Sequence, residues 1–212
     1  MNVFDTIAQH MKDVERAISG MHADAAFGFA LACTERQWPV LQQACDRSPS
    51  MQSVSLALRH ALDAAWEHVK DATSLPPGLA ARCRREISEA DDFMEAITRT
   101  IANSIVDLLD AIEKHEFRYA HRLSYRNFDL LELLLDERGV LLNDLKEDSS
   151  QDPSEVAAVR DLIDQEILRQ TRDVHSLRKD SCAAGIEDAR QASVGRSLFG
   201  VCRGWSDGEP LR

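Results

Sequence analysis

The sequence predicts an all-α protein, a single-domain bundle of about seven helices around a buried central helix at residues 23–37. Apolar residues recur at the three- and four-residue spacing of amphipathic helices, and no stretch alternates convincingly with the period of a strand. From Ala25 to Cys33 no side chain is charged or carries an amide. A run that is apolar on every side of a helix is typical of a buried helix. The length of 212 residues favours one domain.

The helices of the first half are predicted from their apolar stripes and end signals. Val3–Ser19 carries one such stripe and is followed by Gly20, a typical helix stop. The Trp38-Pro39 pair should end the central helix, because the residue before a proline is pushed out of the α region. The following segments are predicted as a short helical turn at 40–45, a long helix at 49–70 and, after a proline-rich break, a helix at 79–88.

The second half starts with a predicted cap at Asp91 or Asp92, where Glu95 completes a capping box for a helix that extends to about residue 112. The next helix is predicted at 117–138. Asp152 and Pro153 then mark the start of the last long helix. The helical domain is expected to span 1–180, followed at 181–212 by a helix extension and a glycine-rich, loosely ordered tail.

Charge and composition indicate which partners and which location to expect. The net charge of −11 and the pI near 5.1 disfavour nucleic acid and anionic membranes as partners. The N-terminal segment is amphipathic and has no apolar signal region, and the nine-residue apolar run is too short to span a bilayer. A cytoplasmic location is therefore expected. The five cysteines form no CxxC pair, so we expect reduced thiols.

Common catalytic signatures are absent from the sequence. It contains no HExxH, no Glu-x-x-His pair, no glycine-rich phosphate loop and no serine nucleophile elbow. His60 and His68 are eight residues apart on one predicted helix, which is weak evidence for a metal site. We therefore expect no catalytic residues, no metal and no cofactor.

Glu35 is unusual because it falls in the last turn of the predicted central helix, against the negative end of the helix dipole. The neighbouring Arg36 does not share its face. Glu35 is therefore expected to pair with another cation, with Arg82, Arg84 and Arg85 as candidates. Two interpretations of Glu35 follow: an ion pair that fixes the helix end, or a small polar pocket. The pocket would be formed by Cys33, Glu35, Arg36, Trp66 and Asp92.

The segment from Asp129 to Glu166 concentrates negative charge, with twelve acidic and three basic residues and hence a balance of −9. It is either the solvated face of two helices or a docking surface for a basic partner. Helix ends at Gly139 and Asp152 should fold the two helices back antiparallel. The acidic residues expected to share a surface are Asp129, Glu132, Asp136, Asp161 and Asp164.

Four segments carry a resemblance to a known family. They are ALACTERQWP (30–39), ALDAAWEHV (61–69), EISEADDF (86–93) and VAAVRDLIDQEI (156–167). Together they resemble the YjaG-like family of uncharacterised bacterial helical proteins, over about residues 27–180. Thr34 replaces a cysteine of the family motif, and Ser88 stands where the family usually has a proline just before the Ala-Asp-Asp-Phe run. The residues that match the first motif are Glu35, Arg36, Trp38 and Pro39. The resemblance implies an all-α fold and no established activity.

These observations support two main hypotheses. The first is a non-enzymatic, acidic protein-binding module, in its concrete form an immunity-type inhibitor of a basic partner protein. The second is an enzyme or small-ligand-binding protein that uses the polar pocket. A deep pocket there would favour the second hypothesis and a solid core the first. A third possibility is a homo-oligomer built through the apolar residues of the tail.

Overall fold

The computed structural model describes residues 3–90, 94–136, 153–179 and 183–194, and the regular secondary structure in these residues is helical. The predicted all-α bundle is confirmed. In chain order the helices are α1 Val3–Ile18, α2 Ala23–Glu35, α3 Trp38–Arg47, α4 Gln52–Asp71, α5 Leu79–Glu89, α6 Ala96–Glu113, α7 Ala120–Asp136, α8 Pro153–Lys179 and α9 Ala183–Val194. Single 3₁₀ turns, Pro49–Met51 and Phe117–Tyr119, precede α4 and α7.

Helix α2 is the centre of the bundle. Every residue from Ala25 to Glu35 is buried, and α2 packs against α4, α6, α7, α8 and α9. Burial on all sides is the physical reason why this segment lacks the one-sided apolar pattern of the other helices. The helix ends at Glu35, two residues before the predicted end, so Arg36 and Gln37 form the link to α3.

Helix α9 crosses α2 at Gly28. A Cβ atom on Gly28 would lie 3.6 Å from Leu177 Cδ2 of α8 and 3.7 Å from Ile186 Cγ1 of α9. These are ordinary van der Waals distances, so α8 and α9 pack directly on this face of α2 and leave room there for no more than a methyl group. Ala183–Val194 is part of the core, so the predicted boundary at residue 180 does not mark its edge. The tail predicted to be loosely ordered falls mainly on residues 195–212, outside the described residues.

Two predicted helix starts differ from the structure. Trp38–Arg47 is a ten-residue helix, where only a short turn was predicted. Pro39 lies in its first turn, where a missing N–H breaks no helical hydrogen bond, so the proline follows one helix and helps to start the next. Glu95 has extended backbone and directly precedes α6, so it is not inside the helix as predicted. The predicted caps Asp91 and Asp92 lie outside the described residues.

Candidate functional site

A cluster of polar side chains lies inside the bundle where α2 ends, and we call it the Arg36 cluster (His10, Cys33, Arg36, Gln37, Asn127, Glu166, Gln170 and Asp173). Arg36 and Glu166 form its centre, and they are only 2% and 3% exposed. Arg36 Nη2 lies 3.2 Å from Glu166 Oε1, and Arg36 Nη1 donates to Asp173. One guanidinium of the α2–α3 link therefore binds two carboxylates of α8.

Two amide side chains donate to the same Glu166 oxygen, Oε1, that faces Arg36. Asn127 Nδ2 donates to Glu166 Oε1 at 2.8 Å and Gln170 Nε2 donates to the same oxygen at 2.9 Å. Gln37 Nε2 in turn donates to Asn127 Oδ1 at 2.6 Å. These donors offset the cost of removing the Glu166 carboxylate from water, and they join α7, α8 and the α2–α3 link.

The electrostatics of the Arg36 cluster fix the charge of Arg36 and disfavour a reactive thiol. Burial alone would lower the pKa of Arg36, but the carboxylates of Glu166 and Asp173 raise it above its ordinary value overall. Arg36 Nη2 also lies 3.3 Å from Cys33 Sγ. Burial nevertheless raises the pKa of Cys33 well above its ordinary range. Cys33 is therefore a protonated thiol and a poor nucleophile at neutral pH.

His10 of α1 closes the other end of the cluster. Its Nε2 atom lies 2.9 Å from Gln170 Oε1. The Gln170 amide nitrogen already donates to Glu166 and to the carbonyl of Ser124, so its oxygen is the acceptor for His10. Neutral His10 therefore carries its proton on Nε2. Burial lowers the pKa of His10, against the raising effect of Gln170 and of the negative charges of Glu166 and Asp13.

We expect His10 to make the folded state less stable in mild acid. Because its pKa is lower in the folded than in the unfolded state, the unfolded chain binds more protons below about pH 6.5. The stability that neutral His10 contributes is fully present above that pH and is lost as the pH falls toward the folded-state pKa. Over that range the free energy of unfolding falls by up to about 1.4 kcal/mol per pH unit. The measurement is urea denaturation of the wild type and His10→Gln at a series of pH values.

The matched control is His60→Gln, since His60 is exposed. His10→Gln should flatten the fall in stability between about pH 6.5 and pH 5, and His60→Gln should leave it unchanged. Equal slopes for the wild type and His10→Gln would show that His10 does not contribute to the acid sensitivity.

Glu35 belongs to a second cluster, formed mainly with α4, which we call the Glu35 cluster (Glu35, Trp38, Arg59, Asp63, Trp66, Glu67 and Arg190). Arg59 Nη1 donates to Glu35 Oε1 at 2.5 Å and Arg59 Nη2 to Oε2 at 3.1 Å, while Trp66 Nε1 donates to Oε2 at 3.1 Å. The candidate partners Arg82, Arg84 and Arg85 were wrong. They lie on α5, which packs against α4 and α6, whereas α4 contacts α2 directly.

The Glu35 cluster continues to the surface. Asp63 accepts hydrogen bonds from Arg59 and from Arg190 of α9, each at 2.8 Å, and Arg190 also pairs with Glu67 at 2.9 Å. The guanidinium of Arg59 lies 5.0 Å from the ring centre of Trp38. This network connects α2, α3, α4 and α9, which indicates a structural role for the charges around Glu35.

The residues predicted to form one polar pocket are divided between the two clusters. Cys33 contacts Arg36, and Trp66 contacts Glu35, while Asp92 lies outside the described residues. All four described members are almost completely buried. A cavity beside Arg36 and Asp173 has a volume of only about 10 Å³, enough for one water molecule. The geometry here is a solid polar core, which agrees with the ion-pair alternative.

Six residues of the Arg36 cluster were not singled out from the sequence: His10, Gln37, Asn127, Glu166, Gln170 and Asp173. For two of them the spacing contained a signal. Glu166 and Gln170 follow Ile163 at three and seven residues, so they occupy core-facing positions of the α8 stripe. A carboxylate or amide at such a position requires buried partners.

The acidic residues predicted to form a surface are exposed on two helices. Asp129, Glu132 and Asp136 follow one another at three- and four-residue spacing on α7, and Asp161 and Asp164 lie on α8. The helices are antiparallel where they meet, because Asn127 contacts Glu166 whereas the earlier Ser124 contacts the later Gln170. Helix α1 packs against both.

Comparisons with known proteins do not identify the chain. No family model matches it, and neither a curated protein nor a solved structure matches it. The resemblance to the YjaG-like family therefore stays a prediction. Within the described ranges, no group of three or more His, Cys, Asp and Glu residues could hold a metal ion, and no helix is long and apolar enough to cross a membrane.

Proposed function

We propose that this protein is a non-enzymatic, acidic binding module whose partner is a basic protein. The observation that carries the proposal is the exposure of all five acidic residues predicted for the docking surface, on two antiparallel helices. They belong to a segment with a charge balance of −9. The concrete form is an immunity-type inhibitor that neutralises its partner in the cytoplasm.

The pairing of these carboxylates supports their availability to a partner. Asp129 lies 3.7 Å from Arg126, but in the part of the chain that the structure describes Glu132, Asp136, Asp161 and Asp164 form no ion pair. Carboxylates without internal cations produce a negative field that accelerates encounter with a positively charged protein. The carboxylates of the Arg36 and Glu35 clusters, by contrast, are paired with arginines of the same chain.

Reversing three charges of this surface should slow association without unfolding the protein. The variant is Glu132→Lys, Asp136→Lys and Asp161→Lys, all at exposed positions. We expect the association rate constant at low salt to fall by about tenfold or more, because electrostatic steering raises such rates by about 10–10³. The measurement is the association rate as a function of ionic strength, for the wild type and the variant with a partner captured from the native cell.

The matched control is Asp5→Lys, Glu89→Lys and Asp188→Lys, which makes the same change in net charge at exposed positions on α1, α5 and α9. It should slow association much less, since steering depends on charges near the contact. Raising the salt concentration should slow the wild type toward the rate of the triple variant. Equal rates for both variants, or a partner that is itself acidic, would contradict the proposed surface.

A further inference from the structure

An open groove of about 330 Å³ lies between the C-terminal half of α6 and the first turns of α7. Its apolar lining includes Ala111 and Leu123, and Tyr119, Lys114 and Arg122 also line it. This volume falls within the range of about 300–1,000 Å³ that is usual for small-molecule sites. The groove is separate from the two buried clusters, and it borders the acidic residues of the proposed function at Arg126, which lies 3.7 Å from Asp129.

The end of α6 determines which side chains line the groove. His115 has a left-handed backbone (φ 56°), and the N–H of Glu116 donates to the carbonyl of Ala111 at 2.8 Å. This reversal leads into the 3₁₀ turn Phe117–Tyr119 and then into α7. As a result, Lys114 from the end of α6 lines the same groove as Tyr119 and Arg122.

Arg122 is oriented by an aromatic ring. The centre of its guanidinium lies 4.4 Å from the ring centre of Tyr119, a cation–π contact. Among the described residues, no carboxylate forms an ion pair with Arg122. A guanidinium packed on a ring keeps N–H groups free, and these match the two oxygens of a carboxylate or phosphate.

Two of the three carboxylates that line the groove, Asp107 and Asp110, lie beside cations. Asp110 pairs with Arg84 and lies 3.9 Å from Lys114, and Asp107 lies 3.5 Å from Arg126. The segment 114–126 contains four basic residues and one acidic residue, in a chain whose net charge is −11. The lining itself holds three carboxylates and three cations, so the strong negative charge of the whole chain is balanced around Arg122 and an anion can approach.

We propose that this groove binds a small organic anion, with its carboxylate or phosphate group on Arg122 and its apolar part against Tyr119 and Leu123. Lys114 and Arg126 offset the negative charge of Asp110 and Asp107 at the edges of the groove. The mixed lining suits a small ligand better than a long polyanion, because Asp107, Asp110 and Glu116 would repel a continuous phosphate backbone.

The test is a titration of the full ¹⁵N-labelled chain, followed by NMR, with phenyl phosphate, benzoate, inorganic phosphate and phenol as probes. We expect saturable shifts of amides along the groove with phenyl phosphate or benzoate, and none with phenol. The anion that binds more tightly shows whether the groove prefers a phosphate or a carboxylate group. Binding of inorganic phosphate should be weaker, because it lacks the ring that packs against Tyr119.

Two variants with equal charge change make the test specific. Arg122→Gln should raise the dissociation constant of the better anion at least tenfold, while Arg118→Gln, exposed and outside the groove, should change it less than twofold. Arg122→Lys keeps the charge and should give an intermediate loss, because the planar fork is absent. Equal losses for Arg118→Gln and Arg122→Gln would overturn the proposal, as would the absence of saturable shifts. The proposal would also be overturned if a single-stranded oligonucleotide bound more tightly than the small anions and if this binding depended on both Arg118 and Arg122.

Discussion

Replacing Arg36 by methionine is expected to lower the free energy of unfolding by about 3–5 kcal/mol, because the change leaves buried carboxylates without their cation. Arg36 is 2% exposed and binds both Glu166 and Asp173. Methionine has a similar length and keeps much of the packing, so the loss reports mainly the uncompensated charge. The measurement is chemical denaturation at neutral pH, with the midpoint and slope fitted for each variant.

The matched control is Arg172→Met. Arg172 lies beside the same small cavity but is exposed on α8, so its replacement should change stability by less than about 0.5 kcal/mol. If both variants lose equally little, the ion pairs of Arg36 do not hold the end of α2 in place.

Replacing Leu31 by alanine is expected to cost about 2–5 kcal/mol, through lost burial and the cavity that remains. Leu31 has no exposed surface and lies in α2, which is covered by other helices on several sides. Neighbouring helices that contact one another have little freedom to collapse into the space, which favours the upper part of that range. Denaturation curves of the wild type and Leu31→Ala measure the difference.

Leu56→Ala is the control, because it removes the same atoms as Leu31→Ala from a side chain that is 61% exposed on α4. It should change stability by less than about 0.5 kcal/mol. A Leu31→Ala curve that coincides with that of the control would contradict the role of α2 as the centre of the core.

The fold could be predicted because most helices carry a local signal. The spacing of apolar residues predicts the buried face of α4, and the continuous apolar run predicts the complete burial of α2. Boundaries were less accurate, because a proline such as Pro39 marks the end of one helix and the first turn of the next equally well. The close contact of α9 with Gly28 depends on distant parts of the chain, so no local pattern predicts it.

The buried clusters were predicted only in part, for a related reason. The position of Glu35 at a helix end indicates the need for a cation, but sequence spacing does not tell which helix packs there. The partner Arg59 lies on α4, whereas the candidate arginines lie on α5. Glu166 could be recognised as a polar residue on an apolar stripe, while its partner Arg36 is supplied by the link after α2. Such pairings follow from the packing of helices that are distant in sequence.

The position of α9 across α2 has a consequence for the order of folding during synthesis. Helix α2 is complete by residue 35, but α7, α8 and α9, which cover much of it, follow between residues 120 and 194. The ribosome therefore releases the most apolar helix long before its cover is made. Contacts between distant parts of a chain also form slowly, since long loops must close first. The bundle is thus completed only after α9 has been made, and until then the Gly28 face of α2 is a surface for chaperones or for aggregation.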